Sequence, residues 1–443
     1  MKYKNSRYSI IVDELEDGRK LLFNTFNSSY GIMDKDAQYI FDNIETMDLN
    51  EDSLSNEKLA IMIKNGFLIP DEIDEYALVE LGKYKSKFDH STLSLTIAPT
   101  LECNMACPYC FEQNRQGTMA EDVQEALIIF VERHLNDAQC QSLDVTWYGG
   151  EPLLAIEIIQ KLSRRLISLC EEKEKQYSAS IVTNGVLLTP EYTDILVECK
   201  ISKAQITVDG LPTYHNKRRV LKNGDSSFDT IVRNIERAKA RLRIVVRSNV
   251  DSGNIDGIPS FLDFCLNEKG WIDNPFVYLS LVQQFTESSY FASNNPVGQD
   301  SISEYNGQVI DCATEIGEGI IRSAMFPRIR HSFCHSSKEY SFVIDPDGLL
   351  YRCWDVIGVK EYAIGDLSYE GQITVEGVKW LCDSLDDKCK DCSFLPLCMG
   401  GCPFEKRIKG ENICAGIKES TLSNLKIAFK QYQNKKQEDS KAV

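Results

Sequence analysis

Thr100-Leu101-Glu102-Cys103-Asn104-Met105-Ala106-Cys107-Pro108-Tyr109-Cys110-Phe111 is the stretch on which the fold turns. It follows a short β-rich run, Ser94–Ala98, and places three thiols at the spacing Cys-x3-Cys-x2-Cys. A cubane of four irons is usually held by four thiolates. Three close thiolates without a fourth would leave one iron open to a substrate or cofactor. A zinc loop or three packed core cysteines would be the plainer account. Zinc, however, normally takes a fourth protein ligand, and no nearby His or Cys supplies one.

Outward from this loop, residues 91–325 alternate between two patterns. Ser94–Ala98, Leu143–Trp147, Ser180–Thr183, Lys203–Val208, Arg243–Val250 and Val277–Val282 are β-rich. Glu121–Leu135, Ile156–Lys173, Glu191–Glu198, Phe228–Lys239, Ile258–Leu266 and Tyr305–Ile321 have helical character. Such repetition predicts a parallel sheet. Six strand-helix units make an α/β partial barrel, a (β/α)6, short of the closed eight. Its chemistry is expected at the carboxyl ends of the strands.

The cysteine loop in this setting resembles that of the radical SAM superfamily. There it carries a [4Fe-4S] cluster whose open iron is chelated by S-adenosylmethionine. The resemblance continues at the strand ends. Trp147-Tyr148-Gly149-Gly150-Glu151-Pro152 is similar to the family's GGE element, which implies that Gly149, Gly150 and Glu151 meet the cofactor's amino group. A glycine pair permits close backbone approach, and a carboxylate suits an ammonium. Thr183-Asn184-Gly185 ends the third strand. Thr207-Val208-Asp209-Gly210 is similar to Ser-x-Asp-Gly, with Thr for Ser. His215-Asn216-Lys217-Arg218-Arg219 resembles His-Asp-x-x-Arg, with Asn for Asp, and Arg247-Ser248-Asn249-Val250 is similar to Arg-x-Asn-Val. The implied cofactor contacts are Tyr109, Gly149, Gly150, Glu151, Asn184, Thr207, Arg219, Arg247 and Asn249. For Arg218 and Arg219 the competing expectation is surface salt bridges, which contribute little.

The chain has sixteen cysteines, none before Cys103. Residues 326–417 hold Cys334-x13-Gly348-x4-Cys353, then Cys389-x2-Cys392-x5-Cys398-x3-Cys402, then Cys414 after eleven more residues. This order, with Cys398-Met399-Gly400-Gly401-Cys402-Pro403, resembles the SPASM domain at every spacing. The resemblance implies two auxiliary [4Fe-4S] clusters, three clusters in all. Cys389, Cys392, Cys398 and Cys414 would hold one. Cys334, Cys353 and Cys402 would hold the other, with Cys312 a possible fourth ligand. Two zinc sites are the alternative. Cys140, Cys170, Cys199, Cys265 and Cys382 read as packing thiols. Residues 418–443 read as a helix that frays into a polar tail.

Residues 1–90 are acidic. They show strand-like Tyr8–Asp13 and Lys20–Thr25, helix-like Lys35–Glu45 and Leu54–Asn65, and a charged helical linker, Asp71–Asp89. This is a small winged-helix-like module. With Tyr30-Gly31-Ile32-Met33-Asp34 and Gly66-Phe67-Leu68-Ile69, it resembles the peptide-recognition element of ribosomal-peptide maturases. Such elements take a leader peptide as an added strand.

The 443 residues carry 49 Lys and Arg against 66 Asp and Glu, a formal charge of −17. No nucleic-acid or anionic-membrane partner is expected, since both need clustered positive charge. The N-terminal stretch is not expected to act as a signal peptide, and the sequence holds no run of ~20 apolar residues. A cytoplasmic, oxygen-sensitive enzyme of an anaerobic host is expected, and many thiols in a reducing compartment point to metal. The resemblance implies a radical SAM–SPASM peptide maturase that forms a cysteine thioether in a precursor peptide. Its electron donor would be a flavodoxin or ferredoxin. Formylglycine formation in sulfatases and carbon–carbon crosslinking are the enzymatic alternatives. In the sulfatase family an Asp directly follows the second SPASM cysteine; here Trp354 intervenes before Asp355, the one candidate base. A zinc-rich peptide-binding scaffold is the non-enzymatic alternative.

Overall fold

The computed structural model describes residues 2–47, 49, 52–110, 112, 115–271, 274–282, 327, 329–368, 374–382, 384–410, 414 and 417–441. The expected helix Tyr305–Ile321 and the candidate ligand Cys312 lie outside these residues.

The N-terminal unit comprises β1 (Tyr3–Asn5), β2 (Ser9–Glu14), β3 (Lys20–Asn24), β4 (Tyr30–Met33), α1 (Lys35–Asn43), α2 (Glu57–Lys64), β5 (Leu68–Pro70) and α3 (Glu75–Lys87). The expected hairpin and helices are present, with three more strands than the sequence reading contained. β4 completes a sheet in the order β2-β3-β4, and β1 pairs with β5. These strands escaped notice because they run three or four residues, too short for period-two alternation to register. α2 begins at Glu57 and not Leu54, because Asn56 caps it by accepting from the amides of Lys58 and Leu59.

The barrel sheet follows: β6 (Thr92–Ile97), β7 (Ser142–Trp147), β8 (Gln176–Thr183), β9 (Ile201–Thr207), β10 (Arg243–Val250) and β11 (Phe276–Leu281), all parallel to their neighbours. Between them run α4 (Glu121–Leu135), α5 (Ile156–Glu172), α6 (Pro190–Glu198), α7 (Pro212–Arg218), α8 (Phe228–Ala238) and α9 (Ile258–Asp263). Parallel strands need crossovers, and helices on the sheet bury their apolar stripes there. Leu93, Leu95 and Ile97 of β6 and Leu143, Val145 and Trp147 of β7 join one continuous core with Leu127, Phe130 and Val131 of α4.

The Cys-rich region does not stand apart from this sheet. β12 (Ser341–Ile344) pairs parallel with β6, and β13 (Leu349–Tyr351) and β14 (Gly365–Asp366) continue the order β11-β10-β9-β8-β7-β6-β12-β13-β14. β13 is antiparallel to β12, so the chain turns back along the sheet there, and Cys353 follows two residues past β13.

The N-terminal sheet packs on the four-cysteine segment. Ile10, Val12, Leu21 and Phe23 form one cluster with Phe394, Leu397, Leu425 and Phe429. Tyr8 and Val79 form another with Cys389, Leu395 and Met399. Polar contacts seal the edge: Thr25 Oγ1 donates to the Ser393 carbonyl at 2.5 Å, and Arg7 Nη2 to the Lys390 carbonyl at 2.6 Å.

Candidate functional site

The first thiol loop leaves β6 and crosses the carboxyl ends of β7–β10. Its leading half is held by backbone: Ala106 N donates to Val220 O (2.8 Å), Lys222 N to Asn104 O (3.0 Å), and Glu151 N to Glu102 O (2.8 Å). Asn184 Nδ2 donates to Asn104 Oδ1 at 2.7 Å and lies 3.9 Å from Cys103 Sγ. Burial pushes the Cys103 thiol up to about 11 and the Cys110 thiol up to about 12. Cys107 and Cys103 are near enough to Cys110 to add to its shift.

Gly149 and Gly150 end β7 against this loop. A Cβ on Gly149 (φ +117°) would meet Thr100 O at 2.2 Å, and one on Gly150 would meet Leu101 O and Glu102 O at 2.5 Å. The close approach that requires glycine is made by the chain's own carbonyls.

Glu151 is fully buried. It accepts from Leu153 N (3.0 Å), Thr183 Oγ1 (2.7 Å) and Asn184 N (2.7 Å). Its carboxylate ties the ends of β7 and β8 together, and burial raises its pKa.

A second knot surrounds Tyr109. Its hydroxyl donates to Asp209 Oδ2 and accepts from Arg219 Nη1 at 2.7 Å. Arg218 lies over its ring at 4.9 Å and grips Asp251 with both carboxylate oxygens at 2.8 Å. Asn249 N donates to Asp209 Oδ1 at 2.9 Å. Arg219 is 8% exposed, so the surface-salt-bridge expectation for this pair fails: both guanidiniums point inward among buried acids. His215, fully buried, accepts from Asp209 N at Nδ1 (3.2 Å) and faces Ser227 Oγ at 3.0 Å through Nε2. Ser227 Oγ donates to Arg219 O, so the network assigns the proton to Nε2. Burial holds the imidazole down to about 3. Thr207 ends β9 beside Arg247, which donates to Asn249 Oδ1 (2.9 Å) and Ser280 Oγ (3.0 Å).

Asp355 faces the same mouth from the Cys-rich side. Its Oδ2 accepts from Cys353 Sγ at 3.4 Å, and burial pushes the carboxyl up to about 6, with Arg247 pulling the other way. Trp354 stacks on Tyr148 at 5.4 Å. Burial pushes Glu112 up to about 8; it shares a hydrogen bond with Tyr148 and feels Asp355. Residues of the first loop, the end of β7 and the loop after β13 thus converge. The thiols also group. Cys353 has Cys334 and Cys402 as thiol neighbours, and Cys398 has Cys414, Cys389 and Cys392. Among the described residues no three His, Cys, Asp or Glu side chains are grouped as a single metal ion would require.

The donor sets suit the implied groups. Buried thiols with raised pKa become thiolates only beside a compensating cation, which an iron cluster provides. Arg218 Nε and Arg219 Nε are buried donors with no hydrogen-bond acceptor. Asp209 and Ser227 were absent from the sequence-derived site residues. The Thr-x-Asp-Gly phrase held the signal for Asp209. No local pattern marked Ser227.

Residues 97–263 match the radical SAM superfamily. The chain carries a radical SAM domain and is an enzyme. Among relatives, it is 26% identical over 351 residues to the cysteine-type anaerobic sulfatase-maturating enzyme of Clostridium perfringens strain ATCC 13124, covering 70% of this chain and 88% of that one. The fold is that of native anSMEcpe with bound AdoMet (TM-score 0.62, 20% identity, covering 77% of this chain and 98% of that one). It is also that of Streptococcus suis SuiB (TM-score 0.53, 16% identity, 93% and 98%), which has been solved with its precursor peptide SuiA. No described helix is long and apolar enough to cross a membrane.

Proposed function

We propose that this enzyme is a radical SAM–SPASM maturase that installs a cysteine thioether crosslink in a ribosomally made precursor peptide, in a reducing cytoplasm. In this reading Cys103, Cys107 and Cys110 hold the cluster that binds S-adenosylmethionine. Cys334, Cys353 and Cys402 hold one auxiliary cluster, and Cys389, Cys392, Cys398 and Cys414 the other. S-adenosylmethionine held at the first cluster would supply the radical chemistry that abstracts a hydrogen atom from the peptide. Thr207, Arg219, Arg247 and Asn249 orient the cofactor, and Trp354 and Tyr148 wall the mouth against water. Asp355 takes a proton from the peptide. Thioether formation removes two hydrogens, so a second electron must leave; a flavodoxin or ferredoxin would exchange electrons with the protein.

The observation that carries a peptide substrate is the N-terminal sheet. Among the described strands β4 pairs with β3 alone, and it presents Ile32 to solvent, so a peptide strand can be added there. The fuller coverage of this chain by SuiB than by anSMEcpe is of the order of this unit. The sequence relatives favour a second reading, formylglycine formation in a sulfatase.

One experiment separates these. Anaerobically reconstituted protein receives S-adenosylmethionine, dithionite and either a Cys-containing peptide encoded beside the gene or a sulfatase peptide bearing the cysteine to be converted. A precursor lighter by two hydrogens, with its sulfur retained and its thiol blocked to alkylation, is expected. Loss of two hydrogens with the thiol still free would indicate a carbon–carbon bond. Loss of sulfur from the sulfatase peptide would establish the second reading in place of the first.

A further inference from the structure

The trailing half of the first thiol loop is anchored differently from its leading half. Residues 103–106 are pinned by backbone bonds to 220–222 and by Asn184. Within 107–110 the described backbone bond, Cys110 N to Cys107 O at 3.1 Å, is local. The described hydrogen bonds from residues 107–110 to other parts of the chain all run through the Tyr109 hydroxyl: to Asp209, from Arg219 Nη1 at 2.7 Å and from Asn249 Nδ2 at 3.5 Å. One phenol oxygen therefore joins the cysteine loop to the ends of β9, α7 and β10.

That oxygen also fixes its partners. Asp209 is fully buried, with one oxygen on the Asn249 amide and the other on Tyr109. Arg219 Nη1 is committed to Tyr109, while its Nε has no acceptor. A guanidinium held on one edge with an unmet buried N–H is aimed, because leaving such a donor unsatisfied costs free energy unless something fills it. Arg218, over the same ring, has its Nε 3.7 Å from Asp209 Oδ2 without a hydrogen bond.

We infer that the Tyr109 hydroxyl is a positioning group: acting through Asp209 and Arg219, it sets the trailing half of the cluster loop and aims Arg219 Nε at the anionic end of S-adenosylmethionine. The inference rests on the radical SAM reading of the loop and assigns the hydroxyl a role apart from touching the cofactor. The three cysteine ligands are untouched by Tyr109→Phe, so iron should stay. What should change is cofactor affinity and the way the cofactor meets the cluster.

The test uses the full reconstituted chain under anaerobic conditions. Parent, Tyr109→Phe, Asp209→Asn and the double variant are compared for iron content, for Kd of S-adenosylmethionine, and for the electron paramagnetic resonance change that the cofactor produces in the reduced protein. A charge-assisted hydrogen bond corresponds to an affinity loss of about ten- to a hundred-fold. Tyr109→Phe is expected to keep its iron, weaken the Kd by that range and alter the cofactor-induced resonance. The double variant should lose less than the two single losses combined, since both remove one network. Tyr109→Phe with parental iron and a Kd within about two-fold of parent would overturn the inference. Should Tyr109→Phe lose iron, Asp209→Asn decides: retained iron with weakened Kd supports positioning, and an unchanged Kd overturns it. A parent that binds no S-adenosylmethionine would instead refute the reading of the loop.

Discussion

Glu151→Gln separates an internal role for this carboxylate from direct contact with the cofactor. The two side chains have nearly the same shape, so packing is conserved. The carboxylate receives three donors: Leu153 N and Thr183 Oγ1 on one oxygen, Asn184 N on the other at 2.7 Å. An amide can accept at one of those positions only and places an N–H₂ at the other. If its oxygen keeps Leu153 and Thr183, its nitrogen confronts the Asn184 N–H, donor against donor. One hydrogen bond to a charged group is lost, about 1.5–3 kcal/mol, and a buried N–H is left unmet, about 1–3 kcal/mol. Removal of the buried charge returns part of this, since burial already disfavours ionisation there. A net loss of about 2–4 kcal/mol follows. At 2–4 °C per kcal/mol for a unit of this size, the melting temperature should fall by roughly 4–16 °C. Anaerobic differential scanning fluorimetry with the cofactor withheld measures it. A melting temperature equal to parent, combined with weakened S-adenosylmethionine binding, would refute the internal role and return Glu151 to the cofactor.

Other outcomes follow from the same geometry. His215 has a folded pKa of about 3 against an ordinary 6.5, so the unfolded chain binds the extra proton first on acidification. Its contribution is fully present above pH 6.5 and is lost as pH falls toward 3, by up to about 4–5 kcal/mol; urea titrations across that window should show the slope in parent and not in His215→Asn. Phe23→Ala should cost about 3–5 kcal/mol and loosen the N-terminal sheet from the segment 389–398. Hydrogen exchange should quicken in β2, β3 and that segment together; quickening in β2 and β3 alone would refute the shared core. Gly149→Ala places a Cβ against Thr100 O at a φ that L-residues avoid, so a penalty of at least about 2 kcal/mol is expected. Its readout is lower iron content on reconstitution, and unchanged iron would refute the packing requirement.

Much of the fold was legible locally. α4 runs over the same residues, Glu121–Leu135, in the sequence reading and in the structure. Ser94–Ala98 and Thr92–Ile97 overlap as one strand because apolar residues alternate through Leu93, Leu95 and Ile97. Pro190 opens the helix expected over Glu191–Glu198, whereas α7, which Pro212 opens, is too short for its periodicity to register and was not expected. The site was half legible. Motif order located Glu151, Asn184 and Arg219. It did not say that Glu151 faces inward onto Thr183 and Asn184, or that Arg218 turns from solvent to Asp251.

What the sequence determined by itself is whatever depends on neighbours along the chain: cysteine spacings, strand and helix periodicity, glycine positions and charge. What only the tertiary structure decided depends on residues far apart along it. Tyr109 meets Asp209 and Arg219 across a hundred residues or more. Thr25 meets the Ser393 carbonyl, and β12 adds itself to β6. Such pairings arise because buried polar groups must find partners wherever the folded chain brings them, and because a sheet edge and an apolar face must each be covered. Those demands are set in three dimensions, so no local pattern announces them.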